Sequence, residues 1–264
     1  MSVFEAVILG IVQGLTEFLP VSSSGHLAIM QGLFGFEGYD LIAFDVLLHM
    51  GTLIPVIIIF WQEIWKLIKQ PFQKMTLLLV IGTIPAVAGV LLLGDRIEVL
   101  FTGGLLLAAA YVVTGALLWF SDKLPAGYKT EKDIGFFDAL FVGIIQMFAI
   151  TPGISRSGST ITASLFRGFD KKTAASFSFL LSIPAILGAF VLHLDDILRG
   201  GAMVETIGFA AGLSGFLAAM LSGYLAIRIM LKLIRKRSLK VFSYYVFTLA
   251  LFLVIDHFVL RIVF

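Results

Sequence analysis

Two short stretches carry most of the side chains able to do chemistry. The first, QGLTEFLPVSSSGH (13–26), holds Gln13, Glu17, Ser22, Ser23, Ser24 and His26. Gln13 and Glu17 stand at i and i+4, so one helix face carries both, and Pro20 ends that helix. The second, TPGISRSGST (151–160), gathers five hydroxyls, two glycines, a proline and Arg156. Glycine-flanked amides at a helix start make an anion nest, and the helix dipole favours negative charge there. Arg156 adds a planar fork that matches phosphate or carboxylate bidentately. The hydroxyls of Ser155, Ser157 and Thr160 can donate to further oxygens. Glu17 can ligate a divalent cation, act as a base or orient His26. Together the two stretches offer a nucleophile, an acid/base and an anion holder, which are the parts phosphoryl transfer needs. The bland readings are a helix-end carboxylate in interfacial water, a histidine satisfied by backbone, a serine N-cap and an Arg156–Glu17 structural pair. Three consecutive serines exceed what one cap requires.

The elements that must position these residues are apolar. The chain has 264 residues, 59% hydrophobic and 14% charged, with a mean hydropathy of +1.03. Soluble domains carry roughly 25% charged residues. The composition indicates a polytopic helical membrane protein. Strand-like alternation is absent, which argues against a β-barrel. With no cysteine there is no disulfide framework or thiolate chemistry. The N-terminal MSVFEAVILGIVQGLTEFLP lacks a basic region and a small-residue cleavage site, so it does not read as a signal peptide.

Apolar runs long enough to span a membrane cover residues 41–62, 75–94, 104–121, 174–193, 206–227 and 241–262. Two further apolar segments, about 3–35 and 136–167, are interrupted by PVSSSGH (20–26) and PGISRSGS (152–159). Non-helical backbone at membrane depth is tolerated only where protein buries it or water lines it, so each segment reads as a re-entrant helical hairpin. Shifting the sequence by 133 aligns the two segments with thirteen identities over residues 4–48, among them Gly10/Gly143, Gln13/Gln146, Ser22/Ser155, Ser24/Ser157, Gly25/Gly158 and Gly35/Gly168. The expected architecture is an all-α polytopic membrane protein, with six transmembrane helices plus two re-entrant hairpins in an inverted-topology repeat. Repeat 1 covers about 1–122 and repeat 2 about 134–264. The copies diverge where chemistry demands it: Glu17 aligns with Ile150, His26 with Ser159 and Ser23 with Arg156.

Three spans per copy invert the second copy. Segments 63–74, 122–135, 167–172 and 228–240 hold 15 of the 19 Lys and Arg residues, against Arg96, Arg199 and Arg261 on the other side. The positive-inside rule then puts those four segments in the cytoplasm and both termini outside. Hairpin 1 enters from outside and hairpin 2 from the cytoplasm. Asp45 and His49, also i and i+4, read either as groups that support the site or, the favoured reading, as an interfacial pair; His193 and His257 read as interfacial, and 228–240 as an orientation anchor.

The two polar stretches resemble the bacterial undecaprenyl pyrophosphate phosphatase family, also associated with bacitracin resistance. That family's first motif is Glu or Gln, three residues, then Glu, which Gln13 and Glu17 fit in the Gln form. Its second is Pro-Gly-x-Ser-Arg-Ser-x-x-Thr, and residues 152–160 match every fixed position. The resemblance spans the whole chain. It implies hydrolysis of the C55 isoprenyl diphosphate to the monophosphate and inorganic phosphate, recycling the lipid carrier of cell-wall synthesis. It implies a divalent cation, Mg²⁺ or Ca²⁺, and a site facing the outer side of the bacterial cytoplasmic membrane. Glu17, Ser23, His26 and Arg156 match the family's catalytic positions. Gln13, Ser22, Ser155, Ser157 and Thr160 are the candidate substrate-binding positions, and Glu17 the candidate metal ligand. A neutral Gln13 cannot supply the second carboxylate of Glu-type members, so the metal leans on Glu17 and the substrate's oxygens. The nucleophile stays open among Ser23, Ser22, His26 and water. The expected partners are a polyprenyl diphosphate and the bilayer, not nucleic acid, with a homodimer left open. The competing reading is a polyprenyl phosphate flippase, because inverted repeats with broken helices also suit alternating access.

Overall fold

The computed structural model describes residues 1–36, 41–100, 103–194, 207–236 and 238–264. Of the basic residues counted above, Arg199 and Arg237 lie outside that set. Among the described residues the chain runs through α1 (Val3–Phe18), α2 (Ser23–Leu33), α3 (Ile42–Ile59), α4 (Trp61–Lys69), α5 (Lys74–Leu100) and α6 (Gly104–Ser121). It continues through α7 (Phe136–Phe148), α8 (Arg156–Phe166), α9 (Lys171–Leu192), α10 (Phe209–Lys236) and α11 (Lys240–Ile255), the last extended by a π-helical turn, Asp256–Leu260.

Six of these elements are long and apolar enough to cross a membrane: Ile42–Ile59, Lys74–Leu92, Gly104–Ser121, Lys171–Leu192, Phe209–Ile234 and Lys240–Leu260. They are the six spans the hydropathy indicates, and the protein is an all-α polytopic membrane protein. Side chains such as Phe4, Leu92 and Phe209 are exposed, as lipid-facing residues must be. The remaining apolar helices are short. At 16, 11, 13 and 11 residues for α1, α2, α7 and α8, none exceeds about 24 Å at 1.5 Å per residue, against an apolar layer of about 30 Å. The two polar breaks are therefore the turns of two helix pairs, α1–α2 and α7–α8.

Two boundaries differ from the hydropathy reading. The span expected over 41–62 ends at Ile59, because Phe60 leaves helical geometry (φ −102°, ψ 24°). The chain then makes α4, which buries no residue; Trp61 stacks on Trp65, and Lys69 sits 5.2 Å over the Trp65 ring. Stacked tryptophans beside lysines are the composition of an interfacial helix. The last span, expected to reach 262, stops because the tail folds back. Buried Asp256 accepts from the backbone N–H groups of Ile262, Val263 and Phe264 at 3.0–3.3 Å.

The two helix pairs are built alike, residue for residue at the spacing of 133. The Ser2 N–H donates to Glu5, and the Gly135 N–H to Asp138. Ser22 caps α2 by accepting from the Gly25 N–H, and Ser155 caps α8 by accepting from the Gly158 N–H. Ser22 and Ser24 hydroxyls lie 3.3 Å apart, as do those of Ser155 and Ser157. Gly35 and Gly168 both end their helices at positive φ, 72° and 83°, where only glycine sits without strain.

Packing between the halves is reciprocal. α1 lies along α10, and α7 along α5. Gly10 abuts the backbone of Gly215, and Gly143 abuts that of Gly82; position 82 shifted by 133 is 215, so one contact is made twice. Small residues let membrane helices approach this closely. α6 packs on both α8 and α11. A buried ion cluster fixes the far end of α8: Asp138 accepts from Lys129 at 2.9 Å and from Arg167 at 2.7 Å.

Gly10→Leu and Gly143→Leu should each cost about 1–3 kcal/mol through overpacking, read as a lower unfolding midpoint in detergent. Gly188→Leu is the control: a Cβ there meets nothing within 4 Å, so no drop is expected.

Candidate active site

The two turns meet tip to tip. The Ser157 hydroxyl on α8 donates to the Leu19 carbonyl at 3.1 Å, and the Gly153 N–H reaches the Ser24 hydroxyl at 3.4 Å. Gly153 has φ +86°, and a Cβ there would lie 2.7 Å from Ala110 and Leu107, so glycine is what lets the second turn sit against α6. Thr114 of α6 completes the seat: its hydroxyl donates to the Gly153 carbonyl at 3.1 Å and accepts from the Ser155 N–H at 3.0 Å.

Glu17 is the hub. Its Oε1 accepts from Arg156 Nη2 at 2.5 Å, joining the last turn of α1 to the first residue of α8. Its Oε2 accepts from Ser23 Oγ at 2.6 Å and from Gln13 Nε2 at 3.0 Å. His49 Nε2, on α3, stands 3.5 Å from the same oxygen. The Glu17 and Arg156 side chains keep 6% and 16% of their exposure, so both charges are largely out of water. A buried pair of this kind is bound by its partners more than by its own net energy: removing one charge strands the other.

The backbone at the first turn is strained. Ser22 holds φ +69°, a region that non-glycine residues visit at a cost of order 1–3 kcal/mol. That conformation aims the Ser22 carbonyl at His26 Nδ1, 2.7 Å away. A carbonyl only accepts, so Nδ1 carries the proton. Nε2 is then the acceptor for the Tyr245 hydroxyl at 2.7 Å. Tyr111 completes a collar, its hydroxyl 3.1 Å from Nδ1 and its ring edge-on to the imidazole, while Tyr245 stacks on it.

The geometry gathers Gln13, Glu17, Ser23 and Arg156 into one cluster. His26 bonds to Ser22 and Tyr245 and not to Ser23; the Ser23 hydroxyl points to Glu17 instead. The remaining candidates shape the turns. Ser22 and Ser155 are N-caps, Ser157 bonds Leu19, and Thr160 donates to the Arg156 carbonyl at 2.9 Å and lies 2.6 Å from the Ser178 hydroxyl. Each is almost fully buried. Asp45 and His49 join this cluster, the less favoured of their two sequence readings: His49 faces Glu17, its Nδ1 donates to the Asp45 carbonyl at 2.7 Å, and the Asp45 carboxylate accepts from Gln31 at 2.8 Å. The signal was in the repeat. Asp45 and His49 align with Ser178 and Ser182, the same exchange of hydroxyl for ionisable group seen at His26. Tyr111, Tyr245 and Thr114 carried no such mark.

The fold and the cluster define a class: a polytopic membrane protein with a carboxylate, a hydroxyl and a guanidinium joined across two broken helices. The comparisons place the chain more narrowly. The family described as Bacitracin resistance protein BacA matches residues 6–252, and the chain belongs to that family. It is 48% identical over 249 residues to a protein of Carboxydothermus hydrogenoformans named undecaprenyl-diphosphatase, covering 94% of this chain and 95% of that one. A protein of Alkaliphilus metalliredigens with the same name is 43% identical over 94% of this chain and 96% of its own length. One from Bacillus thuringiensis named undecaprenyl-diphosphatase 4 is 46% identical over 96% and 97%.

Arg156→Met should lower stability by about 3–5 kcal/mol, because it leaves the Glu17 carboxylate buried without its partner. Adding Glu17→Gln to that variant should recover most of the loss. A double-mutant cycle of unfolding midpoints in detergent reads the coupling; additive losses would mean the pair is not coupled.

Proposed function

We propose that this chain is an undecaprenyl-diphosphatase: it hydrolyses a polyprenyl diphosphate to the monophosphate and inorganic phosphate, returning the carrier lipid to cell-wall synthesis and so opposing bacitracin. The names of its relatives support the activity. The observation that carries it is the Ser23–Glu17–Arg156 chain, a hydroxyl donating to a carboxylate whose other oxygen faces a guanidinium. Ser23 Oγ attacks the terminal phosphorus as Glu17 takes its proton. The new Oγ–P bond forms as the bridging P–O bond breaks, and polyprenyl monophosphate leaves. Water then hydrolyses the phosphoserine, releasing inorganic phosphate and restoring the hydroxyl. Arg156 and the amides at the start of α8 face the charge that develops on the phosphoryl oxygens. His26, held by Ser22 and the tyrosines, fixes the turn that presents Ser23.

A divalent cation fits the donors present. Glu17 is a hard oxygen ligand, and Gln13 Oε1 is a buried acceptor with no partner. Among the described residues no three His, Cys, Asp or Glu side chains converge on one point, which suits an ion that completes its shell with water and substrate oxygens. When bound, the cation supplies charge to neutralise the diphosphate. Each turn is the tip of a re-entrant hairpin within an inverted repeat, about 1–122 and 134–264; the matched caps, glycines and reciprocal packing support that reading. The site then opens to the outer side of the cytoplasmic membrane, with both termini outside. The polyprenyl tail stays in the bilayer while the diphosphate enters between the tips.

Purified protein in detergent should release phosphate from a C15 or C55 prenyl diphosphate with Mg²⁺ and stop with EDTA. Glu17→Ala and Arg156→Ala should each fall at least 100-fold, and His26→Ala by a similar factor if the turn collapses. A folded wild type that releases no phosphate across several metals and pH values overturns the enzyme reading, since detergent leaves no compartments for transport.

A further inference from the structure

The replacement of a motif carboxylate by Gln13 leaves the proposed cation short of one protein ligand, and the structure holds a side chain able to supply it. His49 Nδ1 donates to the Asp45 carbonyl at 2.7 Å. A carbonyl only accepts, so the proton sits on Nδ1 and the Nε2 lone pair faces Glu17 Oε2 at 3.5 Å. Two acceptors facing each other repel unless something positive lies between them. At 3.5 Å the separation is longer than a hydrogen bond between a protonated imidazole and a carboxylate, about 2.7–2.9 Å. Two ligands about 2.1 Å from one ion, at 90–110° to each other, stand about 3.0–3.5 Å apart. The outer nitrogen is also arranged as in metal sites, where a ligating histidine donates its other N–H to a carbonyl or carboxylate that sets ring and tautomer.

A second, independent observation points to the same place. Gln13 is fully buried and its Oε1 has no partner, while Nε2 of the same amide lies 3.0 Å from Glu17 Oε2. Which end of an amide is oxygen follows from its surroundings. Without a cation Nε2 donates to Glu17 Oε2; a bound cation would turn the amide over and hold Oε1 beside Oε2. Oε1 of Glu17 belongs to Arg156, so Oε2, which also accepts from Ser23 Oγ at 2.6 Å, is the oxygen that His49 and Gln13 share.

We propose that His49 Nε2 is a ligand of the divalent cation, bound together with Glu17 Oε2 and Gln13 Oε1, so that an imidazole takes the place of the missing carboxylate. The proposal rests on the phosphatase reading only for the reason a cation is wanted; its own geometry stands on α1 and α3. A site with one imidazole and one carboxylate favours Mn²⁺ over Ca²⁺, because nitrogen ligands suit transition metals better than alkaline-earth ions.

Mn²⁺ binding to the purified full-length protein in detergent tests it without turnover. Titration calorimetry should give tighter binding of Mn²⁺ than of Ca²⁺, and pulsed electron paramagnetic resonance of the Mn²⁺ complex should show ¹⁴N modulation from a directly bound imidazole. His49→Gln keeps a polar side chain of similar reach; it should abolish the ¹⁴N modulation and weaken Mn²⁺ binding about 10–100-fold, with the unfolding midpoint of the metal-free protein unchanged. Mn²⁺ that binds with no ¹⁴N modulation, modulation that survives His49→Gln, or no Mn²⁺ binding by folded wild type would each overturn it. Phosphate release from the prenyl diphosphate is measured on the same samples. Activity without a nitrogen ligand leaves the phosphatase and removes His49 from the metal; nitrogen ligation without activity does the reverse.

Discussion

One carboxylate in an apolar interior sets the terms for the rest of the structure. Glu17 sits near the end of a helix too short to cross the membrane, and its charge has to be matched where there is almost no water. Arg156 does this from the other half of the chain, 139 residues away. At low dielectric the pair attracts strongly, yet desolvating both groups costs nearly as much. What the pair secures is position. Each charge is tolerable only with the other in place, so the tips of the two helix pairs have one relative arrangement in which both are satisfied. The Ser157–Leu19 and Gly153–Ser24 contacts then close around that arrangement.

The same backbone is used twice, with different chemistry on it. Capping serines, the hydroxyl pairs beside them, the glycine that ends each second helix and the glycine that admits a crossing helix all recur at the spacing of 133. Each of these groups satisfies or admits backbone. Apart from Gln13, matched by Gln146, the ionisable and hydroxyl groups that set the first tip apart do not recur. Where the first half has Glu17, Ser23, His26, Asp45 and His49, the second has Ile150, Arg156, Ser159, Ser178 and Ser182. An unlike pair of tips can hold a negatively charged ligand between a cation and a base, which two identical tips could not.

This division explains what the amino-acid pattern alone disclosed. Spans and breaks were legible because the bilayer punishes every polar interruption, and Gln13, Glu17, Ser23 and Arg156 stood out as polar groups in oil. Two features were hidden. The helix α4 looked like the end of α3, since one residue, Phe60, redirects the chain without proline or glycine to announce it. The partners of His26 were invisible, because Tyr111 and Tyr245 lie 85 and 219 residues from it and tyrosines are ordinary near membrane interfaces. His49 was less legible: its place on α3 gave no sign that the Glu17 carboxylate, near the end of the short helix α1, is buried against it.

The position of His26 also gives the strained turn its reason. A serine at φ +69° needs continuous restraint, and the Ser22 carbonyl finds it in the His26 Nδ1–H one turn along α2, while Ser22 Oγ accepts from the Gly25 N–H. Tyr111 and Tyr245 hold the imidazole from the far side, so the restraint is anchored in α6 and α11. Ser23 is the first residue beyond that turn, and its hydroxyl reaches Glu17 only while the turn keeps this shape. The aromatic collar therefore acts on Ser23 through the backbone. The aligned Ser155 has an ordinary extended conformation at φ −69°, and the residue after it is an arginine whose length can reach Glu17 from an unstrained turn. A short hydroxyl has no such reach, and strain in the backbone makes up the difference.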